Sequence, residues 1–485
     1  MTDELLHLDA FSIAARIRTR AVAATEVVEA FIRRSESVNP TINALVVKCY
    51  EQAFVEAQEA DKRIRAGDHA PLLGVPFTVK ESFAVDGLAQ TNGAQSRREA
   101  IATEDACAVT RLKQAGAILI GKTNVPELCM WMETSNLIYG RTNNPYNPAR
   151  TAGGSSGGEG ALVATGGSAF GLATDVGGSI RIPAAFCGVF GHKPTMGLVP
   201  MTGHWPFTRG APPRDSGTGQ SWVAGPITRH ASDLMPLLRI LAGPDGNDPF
   251  CQERELADPN AVDWPKIKVF FITDPLIDFT SRTTLPVQNA VLESVEVFTA
   301  LGAKVVPFDT TLFKKAVSIW SHWLEKVEGV DVNQGLGVNS FVELMQESVQ
   351  SLMGRGRISF AAQQLCYFQR LMRLSPVRQK FWKEANTLRQ QIAHLLGKKS
   401  IIVMPTYPRT APRHHMAWLA PLDNVYTGIM NILHVPVTAV PVGLDGNGMP
   451  IGISVVGGPG QDHLTIAAAG ALEEALGGWS MPKGV

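Results

Sequence analysis

Three serines and one lysine stand in surroundings that could turn them toward acyl transfer. Ser155 and Ser156 lie in GGSSGGEG, Gly153 to Gly160, and Ser179 follows a Gly-Gly pair in TDVGGSIRIPA, Thr174 to Ala184. Such a glycine-rich zone has several readings. A flexible linker would lack the apolar Ala161, Leu162, Val163, Phe170, Leu172 and Val176 that follow. A phosphate cradle needs a lysine after its last glycine, and Glu159 stands there instead, where its charge would repel a phosphate. The GxSxG pattern of a nucleophile elbow is matched twice. An elbow follows a strand, however, and TNNPYNPARTA, with two prolines and three asparagines, reads as loop. The fourth reading is a backbone nest. Glycines let consecutive N–H groups of Val176, Gly177, Gly178 and Ser179 converge as an oxyanion hole, with Ser179 at its end placed to attack.

A serine nucleophile needs a base, and no histidine lies nearby. Lys80 closes the apolar run LLGVPFTVK. It reads either as a lysine snorkelling to the surface or as a desolvated amine whose pKa falls from about 10.4 towards neutrality. Spacing alone does not decide between them.

The elements that would carry these residues are strands alternating with helices. Apolar residues recur at helical spacing from Ala24 to Ser35, and a second helix is expected after Pro40 as far as Arg65, so residues 1–70 read as a helical segment. Short β-branched runs predict strands at GVPFTVK (Gly74 to Lys80), GAILIGKTNV from Gly116, IKVFFITD (Ile267 to Asp274), KVVPFD, IIVMPT from Ile401, VPVTAVPVGL from Val435 and PIGISVVG from Pro450. Helices are expected at Asp105 to Gln114, Val287 to Leu301 and Leu464 to Leu476. Residues 311–396 form a helical insertion rich in Trp320, Trp323, Phe341, Met345, Phe368, Phe381 and Trp382, placed to cover a pocket. The fold class is therefore α/β: one large domain, 1–485, on a central mixed sheet surrounded by helices.

From Gly153 to Thr195 the sequence GGSSGGEGALVATGGSAFGLATDVGGSIRIPAAFCGVFGHKPT resembles the amidase signature enzymes. VPFTVKES around Lys80, GKTNVPEL from Gly121 and the C-terminal VPVTAVPVG and PIGISVVG are also similar to that family. The resemblance covers most of the chain, with 74–230 as the signature core. It implies a Ser–cis-Ser–Lys triad with Ser179 as nucleophile, Ser155 as bridge and Lys80 as base, and a cis peptide before Ser155. Ser156 is similar to the second serine of the family pair, which supports the network by hydrogen bonding. A plain loop serine is the competing reading. Asp175 and Arg181 flank the nucleophile and are expected to pair. After HKPT the tRNA-dependent branch would read something like YGRVSRYG, whereas this chain reads MGLVPMTGHWPFTRG. That segment resembles stand-alone amidases of lipophilic or aryl amides. By family position Cys129, Met130, Trp131 with Met132 adjacent, and Trp205 would line an apolar pocket, against ordinary core packing for each. Carbamate and ester hydrolysis use the same attack on a carbonyl, and a non-catalytic scaffold is the remaining rival. The intact Lys80, Ser155 and Ser179 speak against a scaffold.

Composition narrows the partners. Lys plus Arg and Asp plus Glu number 44 each in 485 residues, so the net charge is zero. The usual electrostatic case for nucleic acid or an anionic membrane is therefore missing. Hydrophobic residues make up 45%, which suits a large buried core. The longest uncharged stretch of the glycine-rich zone, Gly160 to Thr174, is too short to span a membrane. Six scattered cysteines without a CxxC pair read as buried or pocket-lining thiols. Dispersed histidines, with His414 and His415 adjacent and no HExxH, point to no metal. No cofactor is expected. The N-terminus MTDELLHLDA resembles neither a secretory nor a transit peptide, so a cytoplasmic enzyme of a small amide, carbamate or ester is expected, with a homodimer left open.

Overall fold

Short runs rich in Val, Ile and Phe, too brief for helices, become strands when both faces can be covered. The computed structural model describes residues 2–207, 221–327 and 332–483. The strands there are β1 (Leu45–Lys48), β2 (Pro76–Lys80), β3 (Ile118–Thr123), β4 (Ser135–Asn136), β5 (Gly140–Arg141), β6 (Phe170–Asp175), β7 (Phe190–Lys193), β8 (Val223–Thr228), β9 (Lys268–Phe271), β10 (Lys304–Pro307), β11 (Ser400–Pro405), β12 (Val437–Leu444) and β13 (Pro450–Gly457). All except the β4–β5 pair join one 11-stranded sheet in the order β1-β3-β2-β6-β8-β7-β12-β13-β11-β9-β10. The sheet is mixed. β2 runs parallel to both β3 and β6, while β6 with β8 and β12 with β13 are antiparallel. The fold is thus the expected α/β sheet flanked by helices.

Strand β2 is buried along its whole length, as are β3, β6 and β8. Lys80 and Asp175 are the last residues of the parallel neighbours β2 and β6. Both therefore reach the same edge of the sheet, the carboxyl end, where α/β sheets leave a crevice for ligands. The helix Gly157–Ala164, GGEGALVA, is buried at every position. Its first turn packs against the loop after β3. A Cβ on Gly158 would lie 2.5 Å from the backbone nitrogen of Asn124, so only glycine allows that approach.

Two expectations for the N-terminal segment need correction. The helix Ala24–Ile42 runs through Pro40, and β1 follows before the helix Tyr50–Arg65. Pro40 sits in the last turn, so the amide bond it denies the helix is one near the end, where Asn43 closes it in the left-handed conformation. Residues 2–65 are therefore helices joined by short turns, with an edge strand of the main sheet among them. The central strands β6, β7 and β8 were also not anticipated, because their glycines, prolines and polar residues mask the β pattern. The insertion supplies helices Ala316–Val327, Val332–Gly335, Phe341–Leu352, Phe360–Arg373 and Arg378–Leu396. Residues 328–331 of the insertion and 208–220 of the signature core, including the end of MGLVPMTGHWPFTRG, lie outside the described residues. No helix among the described residues is long and apolar enough to cross a membrane.

Candidate active site

Lys80 is fully buried, and its Nζ donates to Ser155 Oγ at 2.7 Å and to Thr174 Oγ1 at 3.0 Å. The snorkelling reading therefore fails for this lysine. Burial pushes its pKa below that of an ordinary lysine, against the pull of Cys129, Asp175 and Glu159. Glu159, on the buried helix, accepts the hydroxyls of Thr78 at 2.7 Å and Thr123 at 2.8 Å. Burial raises its pKa to about 8, against the pull of those hydroxyls and of Lys80.

Ser155 follows a cis peptide from Gly154, as the resemblance implied. A Cβ on Gly154 would come within 2.5 Å of the Trp131 carbonyl oxygen. The Ser156 amide donates to the Ser179 carbonyl at 3.2 Å, and its hydroxyl donates to the Thr174 carbonyl at 3.4 Å. Ser156 thus ties the Ser155 loop to the loop that carries Ser179.

That second loop leaves β6 at Asp175. The Asp175 carboxylate accepts from Arg181 Nε at 2.9 Å and Nη2 at 2.8 Å, from the amides of Gly178 at 2.8 Å and Ile180 at 3.1 Å, and from Asn431 Nδ2 at 3.0 Å. Both members of the Asp175–Arg181 pair are wholly buried. Burial alone would raise the Asp175 pKa, but the guanidinium and these donors hold it well below the carboxylate range. The expected oxyanion nest is altered accordingly. The Gly178 N–H is committed to Asp175, which leaves Val176, Gly177 and Ser179 as the amides with no acceptor among the described residues. Gly178 has φ +118°, and a side chain there would strike Thr427, whose hydroxyl also holds the Gly177 carbonyl.

Ser179 opens onto a cavity of about 470 Å³. Val176, Gly177, Cys129, Met130, Trp131 and Met132 line it, and the insertion contributes Trp320, Leu365, Phe368 and Met372. Trp131 packs on Trp418 with ring centroids 4.9 Å apart. Trp205 does not line this cavity. It packs instead in an apolar cluster with Ala94, Leu128 and Val332. Cys129 also faces the base: burial raises its thiol pKa, and the nearby Lys80 charge opposes that rise. Two further neighbours were not anticipated. Thr174 touches Lys80, and the buried His204 places Nε2 2.8 Å from Ser82 Oγ and 3.1 Å from Thr174 Oγ1. Thr174 lies within the quoted TDVGGS run and could have been suspected. His204 carries no local signal.

A profile of the amidase family matches residues 26–466. The chain belongs to the amidase family. It is 39% identical to fatty-acid amide hydrolase 2-B of Danio rerio over 99% of this chain and 92% of that protein. It is 32% identical to an acylamidase of Rhodococcus erythropolis over 100% of this chain and 98% of that one. Among solved structures, 6-aminohexanoate cyclic dimer hydrolase in complex with its substrate superposes with a TM-score of 0.82 at 26% identity, covering 99% of each chain. As an amidase the chain is a hydrolase of amide C–N bonds.

Proposed function

We propose that this amidase cleaves amides with a hydrophobic or aryl acyl group through an acyl-enzyme on Ser179. The observation that carries the reading is the buried Lys80 Nζ, 2.7 Å from Ser155 Oγ, beside an apolar cavity that Ser179 lines. Lysine replaces histidine as base, which a lowered pKa permits. Neutral Lys80 takes the Ser155 proton while Ser155 takes that of Ser179. The Ser179 oxygen adds to the amide carbonyl, and the negative oxygen turns to the free amides among Val176, Gly177 and Ser179. The proton then returns through Ser155 to the leaving nitrogen, the C–N bond breaks, and water hydrolyses the Ser179 ester to release the acid.

The substrate class rests on the cavity. Met130, Trp131, Met132, Leu365, Phe368 and Met372 offer an apolar wall that stabilises a large acyl group at about 25 cal/mol per Å² buried. The relative named fatty-acid amide hydrolase 2-B supports that class. Carbamates and esters accept the same attack, so a panel of short-chain, aryl and long-chain amides with matched carbamates and esters is the test. The highest kcat/KM is expected for aryl or long-chain amides, with loss of all turnover in Ser179→Ala. Preference for acetamide-sized substrates would contradict the apolar-pocket reading.

A further inference from the structure

The neighbourhood of Lys80 contains one group for which the proposed relay has no use. His204 is wholly buried and packs its ring against Phe83 and Trp222, with centroids 4.9 and 5.4 Å away. Its Nδ1 has no hydrogen-bonding partner among the described residues. Its Nε2 lies 2.8 Å from Ser82 Oγ and 3.1 Å from Thr174 Oγ1. The loop that bears it is stitched to the chain leaving β2, with the Trp205 amide on the Ser82 carbonyl at 3.1 Å and the Ala84 amide on the Gly203 carbonyl at 2.9 Å. The ring is therefore held in place against the end of the strand that carries Lys80.

Thr174 Oγ1 lies within hydrogen-bond distance of both His204 Nε2 and Lys80 Nζ. A hydroxyl has one proton to give. A neutral lysine amine has two N–H bonds and one lone pair, and general-base action needs that lone pair to face Ser155.

We infer that His204 is a positioning residue for the Lys80 base: its Nε2 accepts the Thr174 hydroxyl proton, so Thr174 Oγ1 accepts from the Lys80 amine and the amine's lone pair stays free for Ser155. The inference rests on the reading of Lys80 as base. It fixes the neutral ring with its proton on Nδ1, which suits an imidazole whose burial drives its pKa well below the ordinary histidine value. With no acceptor at the Nε2 position, the Thr174 hydroxyl is free to rotate and donate to the Lys80 lone pair. That competes with Ser155, and because it favours the neutral amine it also lowers the Lys80 pKa. The other ionisable groups facing Lys80 are Cys129, Asp175 and Glu159.

The test is the pH dependence of kcat/KM on an amide substrate for the wild type, His204→Phe, His204→Gln, Thr174→Val and Lys80→Ala, with thermal unfolding followed in parallel. His204→Phe is expected to lower the plateau about tenfold to a hundredfold, the scale of a misdirected base. Its acid limb should move to lower pH. His204→Gln, whose amide oxygen reaches the Nε2 position, should restore most of the rate and the wild-type midpoint. In the Thr174→Val background His204→Phe should cost less than about twofold more, since the coupling runs through Thr174. Equal losses in the Phe and Gln variants with an unmoved midpoint would reduce His204 to a packing residue and overturn the inference, as would additive losses with Thr174→Val. The underlying reading fails separately, if Lys80→Ala keeps wild-type activity. An inactive Lys80→Ala beside an unaffected His204→Phe removes this inference alone.

Discussion

A lysine buried at the end of an apolar strand loses the solvation that keeps it charged, and Lys80 has two hydroxyls rather than a carboxylate at its amine. Its pKa is lowered for that reason, so the neutral, proton-accepting form is populated at lower pH than for an exposed lysine. Activity should therefore rise with pH through that lowered pKa and fall as Lys80 takes a proton. A kcat/KM profile flat from about pH 6 to 9 would speak against a titrating lysine. Lys80→Ala should cost on the order of 10³-fold or more in kcat while the fold survives, read by turnover and circular dichroism. Near wild-type turnover would remove it as base. The meeting of Lys80 with the glycine-rich loop at Ser155 involves residues that are each marked locally, the lysine by its apolar strand and the serine by its glycines. His204 is not so marked, since only the tertiary fold brings residue 204 beside residues 82 and 174. The lost Gly178 donor was hidden likewise, because a carboxylate's choice of amide does not show in a sequence.

At the scale of elements, the loop after β6 is held by a carboxylate that serves both a guanidinium and the backbone. Arg181→Met leaves the Asp175 charge buried and unpaired, which should cost about 3–5 kcal/mol in denaturant unfolding. A loss below about 1 kcal/mol would mean that Asp175 is otherwise satisfied. The helix Gly157–Ala164 carries a different pH signature. Glu159 ionises at 4.5 when free and at about 8 in the folded chain, so its contribution is complete below 4.5 and disappears as pH rises toward 8. Glu159→Gln should flatten its share of the stability decline between those values, leaving the shares of Glu81, which burial also raises, and of Glu127 and Asp233, both raised to about 7. An unchanged slope would place the proton elsewhere. Strand β1 escaped sequence reading because it has four residues between two helices, and helix-like flanks dominate any window that long.

Across the whole molecule, one sheet places Lys80 and the Ser179 loop at its carboxyl edge while residues of a distant insertion line part of the cavity. That the insertion is helical and apolar was legible, but not which of its side chains reach the cavity. Phe368 and Met372 line the cavity, whereas Phe341 and Met345 of the same insertion face outward. Trp205 was misplaced for the same reason, since an aromatic in a loop goes wherever the loop's turn sends it. Phe368→Ala should raise KM about tenfold for aryl or long-chain amides and change it little for short ones; equal effects on both would mean the insertion does not meet the acyl group. The central claim is that Ser179, and neither serine of GGSSGGEG, forms the acyl-enzyme. Labelling the wild-type protein with a fluorophosphonate and mapping the adduct by peptide mass spectrometry tests it most directly. The account predicts a single adduct on Ser179, lost in Ser179→Ala; an adduct on Ser156, or none on the active protein, would contradict it.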